Sequence, residues 1–73
     1  MGVNYKFVYS DGFVCEYVCD ELYLVNDYGD LLVIPKELPV KFHTPRLIGL
    51  RGTTGNLFLE SNIVAIYKNP LYG

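Results

Sequence analysis

Apolar side chains in this chain recur at every second position, and almost no stretch repeats them at the helical spacing. Tyr5, Phe7 and Tyr9 alternate with Lys6 and Val8; Phe13, Cys15, Tyr17 and Cys19 enclose Glu16 and are followed by Asp20. Successive side chains of a strand point to opposite faces, so a two-residue period marks half-buried β-strands. The fold class expected is therefore all-β. Strands are predicted over about Val3–Tyr9 and Phe13–Cys19, joined by Ser10-Asp11-Gly12, whose Gly takes positive φ and whose Asp bonds its own backbone. Asp20-Glu21 turns the chain into a third strand, about Leu22–Asn26, and Asp27-Tyr28-Gly29-Asp30 reads as a hairpin turn into Leu31-Leu32-Val33-Ile34. That fourth stretch is apolar without alternation, which predicts burial on both of its faces.

The stretch 36–46 breaks the pattern. Pro35, Pro39 and Pro45 each remove a backbone donor, which argues against a central strand there. Lys36-Glu37-Leu38 is compatible with a single helical turn, and Val40-Lys41-Phe42-His43 with a short edge strand. Leu47–Arg51 and Leu57–Glu60 flank Gly52-Thr53-Thr54-Gly55-Asn56 and read as a second hairpin. Ser61-Asn62 then turns the chain into Ile63–Tyr67, the most apolar strand, which Asn69-Pro70 ends ahead of a loose tail. No repeat, linker or low-complexity tract interrupts residues 1–73, so one domain is expected.

About 5–7 short strands joined by tight turns predict a small, strongly bent antiparallel sheet that closes into a barrel. The meander, with Ser61-Asn62 placed just before Ile63-Val64-Ala65-Ile66-Tyr67, resembles the SH3-like and Sm-like small barrels. Brevity and tyrosine richness also make the chain similar in style to accessory proteins of phages and mobile elements.

At 73 residues the chain lies near the lower end of what folds unaided, and domains of this size bury only about 60% of their unfolded surface. The sequence nevertheless carries seven Tyr and four Phe, more rings than so small an interior accommodates. Some rings are expected at an interface, where aromatic residues are enriched. The net charge of −2 argues against general binding to nucleic acid or anionic membranes. Its distribution is uneven: residues 36–51 carry Lys36, Lys41, Arg46 and Arg51 against Glu37, a net +3, which leaves −5 on the remainder. Cys15 and Cys19 lie four apart on one strand face, about 13 Å between Cα atoms, too far for a disulfide. No apolar run reaches the roughly 18 residues of a membrane span, and residues 1–6 lack the apolar core of a signal peptide. A reducing, cytoplasmic setting without a membrane is the expectation.

Chemistry is sparse. The single His, His43, has no acid within five residues, and Cys15 sits beside Glu16 rather than in the electropositive setting that makes a reactive thiolate. No enzyme is expected. Cys15, Cys19 and His43 are zinc-ligand types, but Cys-x₃-Cys on a strand holds its sulfurs too far apart for one ion, so neither metal nor other cofactor is expected. The segment Arg51–Asn56 offers Gly-containing turn amides that form anion-binding concavities elsewhere, with Arg46 and Arg51 as bidentate grips. Lys41, Phe42, His43 and Arg46 supply the cations and rings that single-strand nucleic-acid binders combine, against seven carboxylates outside residues 36–51. The leading expectation is a non-catalytic binding protein of adaptor or inhibitor type. It would form a homo-oligomer and engage a protein partner through Tyr-rich strand faces and the basic 36–51 segment. The alternative is a small anionic, nucleotide-like ligand in a pocket shared between subunits, held by Arg46, Arg51, Thr53, Thr54 and Asn56. A nucleic-acid-binding barrel is the disfavoured third.

Overall fold

The computed structural model describes residues 2–34 and 37–69. They form six strands: β1 (Val3–Tyr9), β2 (Val14–Cys19), β3 (Glu21–Val25), β4 (Leu31–Val33), β5 (Val40–Arg51) and β6 (Leu57–Lys68). All pairings are antiparallel, in one sheet of order β2-β1-β6-β5-β3-β4, and no helix occurs among the described residues. The all-β expectation holds. Among the described residues the ladder does not close into a barrel, because β2 and β4 remain as edges of the sheet.

The sheet is nonetheless strongly curled, and connectivity dictates it. Cys19 ends β2 and Glu21 begins β3, yet these strands stand four places apart in the sheet. In a flat sheet that separation is about 19 Å at ~4.8 Å per strand, whereas two Cα–Cα steps reach at most about 7 Å. Only coiling brings the ends together. The Asp20 amide, donating to the Arg51 carbonyl at 2.8 Å, pins β2 to the β5 side at that junction.

Two long strands replace four shorter predicted ones. Val40–His43 and Leu47–Arg51 merge into β5, despite Pro45. The register explains why: Lys41 pairs with Ala65 and Arg46 with Ile63, so 42–45 arch out as a bulge that needs no ladder donor from Pro45. Likewise Ser61-Asn62 is not a chain reversal. Asn62 takes a φ of 64° inside β6, and the register against β1 shifts between Val8 and Tyr9. Asn is one of the few side chains that accept this conformation, which is why the pair reads as a turn in sequence. Of the helical turn expected at 36–38, Lys36 lies outside the described residues and Glu37-Leu38 are irregular. The tail beyond Asn69 is likewise outside them.

Three hairpin loops share one geometry. In Tyr9–Phe13, Asn26–Asp30 and Gly52–Asn56 the first amide donates to the fifth carbonyl at 2.8–3.1 Å, and the fourth to the first at 2.9–3.0 Å. The fourth residue is Gly in each, with φ of 83–91°. This is a type I turn followed by a left-handed residue, a standard hairpin connection. Inside the curl, Phe7, Ile48, Ile63 and Ile66 are completely buried, with Cys19, Leu22, Ile34 and Leu50 beside them. Phe7 meets Tyr17 edge to face at 5.4 Å between ring centroids.

Candidate functional site

The residues picked out in sequence fall into two separate groups. Lys41, His43 and Arg46 are exposed around the β5 bulge, while Phe42 turns inward and packs on the core. Arg51, Thr53, Thr54 and Asn56 stand at the far end of the same strand and its loop. Arg46 pairs with Ile63 and Arg51 with Leu57, six residues apart on β6, or roughly 20 Å. Within one chain they cannot grip a single small anion. Arg51 is already engaged: its Nε donates to the Tyr23 hydroxyl at 2.9 Å and lies 3.8 Å from Glu21 Oε1. Tyr23 in turn donates to Glu21. The Gly52 and Gly55 amides are consumed within their own turn.

A different site lies between the C-terminal half of β2 and the β5–β6 hairpin. Tyr17, Val18 and Cys19 form one wall of a groove of about 370 Å³; Leu50, Gly52, Phe58, Leu59 and Glu60 form the other walls. At its polar end three strands converge. Tyr9 and Tyr17 both donate to Glu60 Oε1, each at 2.5 Å, and their own oxygens are 3.3 Å apart. Burial, followed by the bond to Glu60, holds the Tyr9 phenol far above the ordinary tyrosine range. Tyr17 is raised first by its bond to Glu60. Phenols held protonated in this way act as fixed donors, so they anchor the carboxylate rather than perform acid–base chemistry near neutrality. Cys19, at the inner wall, is pushed up to about 11 by burial and is a poor nucleophile. Cys15 and Cys19 are both free thiols. Among the described residues no three of His, Cys, Asp and Glu come together as metal ligands, and no helix is long and apolar enough to cross a membrane.

The outer face of the sheet is the second unusual surface. Directly paired residues share a face, and the row Val33–Tyr23–Gly49–Leu59 runs straight across β4, β3, β5 and β6. Leu31, Val25 and Leu47 form the adjoining row. Gly49 provides the clearance: a Cβ there would stand 3.4–3.7 Å from Leu57, Leu59 and Tyr23. Val33 is 61% exposed and Leu59 55%, with Leu31 and Leu57 above 39%. Aromatic exposure is narrower than the composition implied. Of the six described tyrosines only Tyr28 is fully outside, joined by Phe13 and Phe58.

Tyr9, Tyr17, Phe58 and Glu60 were not among the residues that sequence reasoning selected. The available signal was the inward register of Tyr9 and Tyr17 in the first hairpin, since a half-buried phenol requires an acceptor. Which acceptor depends on pairings 43 and 51 residues away in sequence. No protein-family model matches the chain, and no curated protein or solved structure is significantly similar to it.

Proposed function

We propose that this chain is a non-catalytic binding protein, of adaptor or inhibitor type, that self-associates through the outer face of β4, β3, β5 and β6 and engages a protein partner. The supporting observation is the unbroken apolar row Val33–Tyr23–Gly49–Leu59 with its exposed neighbours Leu31 and Leu57. Val33, Leu31, Leu57 and Leu59 stay 40–61% exposed around the buried Tyr23 on this face, beside the Glu21–Arg51 pair, and contiguous exposed apolar side chains mark association sites. The burial on both faces expected of Leu31–Ile34 is not met within one chain: β4 is an edge strand whose Leu31, Leu32 and Val33 are 40–61% exposed, and only Ile34 is buried. We read the curled sheet as a small barrel of SH3-like or Sm-like kind, joined at Asp20 by chain continuity rather than by a ladder. Free thiols suit a reducing compartment. Anion and nucleic-acid binding find less support, because Arg46 and Arg51 diverge within one chain and the Gly52 and Gly55 amides are spent in their turn.

Native mass spectrometry with light scattering over a range of micromolar concentrations tests the reading. A discrete oligomer is expected, and Val33→Lys should weaken it at least tenfold while the monomer stays folded, the side chain being solvent-exposed. A wild-type protein that remains monomeric throughout, or an oligomer indifferent to Val33→Lys, overturns it.

A further inference from the structure

We infer that the groove beside β2 receives a basic side chain, lysine or arginine, carried on an extended segment of a partner protein laid against the free edge of β2. This deepens the binding-protein reading and rests on it. Three observations converge. First, β2 pairs with β1 on one side and with no strand on the other among the described residues. Its six residues, Val14–Cys19, contain no Pro or Lys and its pairing with β1 has no bulge; of the devices that normally blunt edge strands it carries one charged side chain, Glu16. Second, that edge borders the groove, since Tyr17, Val18 and Cys19 belong to both. A strand added to an edge places alternate side chains to one face, here toward Leu50, Phe58 and Glu60. Third, the groove is charged in one sense only: Glu60 is the sole ionisable carboxylate or base among its lining residues other than the raised Tyr17 and Cys19.

The chemistry selects the occupant. A Lys or Arg stem lies along apolar walls while its head remains polar, and the Tyr17 and Phe58 rings are suited to a cation. Two phenols already fix one Glu60 oxygen from the Tyr9 and Tyr17 side, so the carboxylate is positioned before the cation arrives. An acidic side chain would meet like charge, and an apolar one would desolvate Glu60 without a partner. A free amine is a weaker candidate. Val18, Phe58 and Leu59 are each more than half exposed, whereas small-ligand pockets cover 70–90% of their ligand; only a segment that also bonds to the β2 backbone gains enough contact.

The test is an amide NMR titration of the intact protein with the blocked peptide acetyl-Thr-Val-Lys-Val-Thr-amide and its norleucine and glutamate counterparts, with n-hexylammonium as the free-amine arm. The lysine peptide is expected to shift the amides of 14–19 and 59–61 saturably. It should bind at least tenfold more tightly than the norleucine peptide, and the glutamate peptide should bind weakest. Glu60→Gln should abolish the lysine preference; the three-peptide comparison on wild-type protein stands even if that variant folds poorly. Equal binding of the three peptides, shifts with none of them, or hexylammonium binding as tightly as the lysine peptide would each overturn the inference. Repeating the titration on Val33→Lys separates the two readings, because Val33 lies outside the groove: lysine-selective binding there supports the groove whatever the oligomer does.

Discussion

Tyr9, Tyr17 and Glu60 arrive from β1, β2 and β6 and meet at a single carboxylate oxygen. Hydrogen bonds to a charged group contribute about 1.5–3 kcal/mol, so Tyr9→Phe and Tyr17→Phe should each lower the urea-unfolding free energy by about that amount. The double variant should lose measurably less than the sum if the two donors compete for one acceptor; strict additivity would mean they act independently. The pH dependence follows from the direction of the shifts. Both phenols have folded pKa values above the ordinary value near 10, so their stabilisation is complete below about pH 10. It declines as the pH rises beyond that toward the folded values. Cys19 adds a contribution that fades between about 9 and about 11. Stability should therefore be flat through neutrality and fall in alkali, with tyrosinate absorbance from these two rings appearing only alongside unfolding. Their titration in the folded protein near pH 10 would contradict the shared bond. None of this was legible as a site in sequence, because Glu60 is an unremarkable carboxylate until the fold carries it to β1 and β2.

Local structure was more readable, and unevenly so. The three loops are chemically unlike, yet each places Gly where a left-handed residue must stand. Nothing lies within 4 Å of a Cβ built on Gly55, so Gly55→Ala should cost about 1–2 kcal/mol through backbone conformation alone, read as a lower urea midpoint with an unchanged slope. A neutral outcome would contradict the positive φ. Within β6, Asn62→Val should cost at least as much and Asn62→Gly very little, since a β-branched residue at φ 64° is strongly disfavoured. Equal stability of these two variants would remove the bulge as a constraint. The boundaries of β1 matched their alternation because both of its neighbours run in register along most of it. By contrast β5 and β6 were each divided at residues that break a flat strand, Pro45 and Ser61-Asn62, and only their long-range pairing reveals that the chain bulges there and continues.

For the molecule as a whole, the proposed cover of the outer face would link folding to association. If the oligomer is the native state, the melting temperature should climb with protein concentration, and Val33→Lys should flatten that dependence; a wild-type melting point insensitive to concentration would argue for a self-sufficient monomer. Small size and curvature were inferable from strand count and loop brevity. Sheet order was not, because alternation says which side of a strand is inward and nothing about which strand lies beside it. That order has a consequence for the chain during its synthesis. Tyr5 finds its β6 partner in Lys68, and Phe7 finds Ile66, so β1 cannot complete its place in the sheet until nearly the whole described chain has left the ribosome. The β1–β2 hairpin waits meanwhile without β6, and β3–β4 waits for β5 with Leu22 and Tyr23 uncovered. Pairings of such long sequence separation are slow to form, and unpaired edges are hazardous while they wait. Translation speed and nascent-chain helpers would therefore bear on the yield of this protein more than on its final stability.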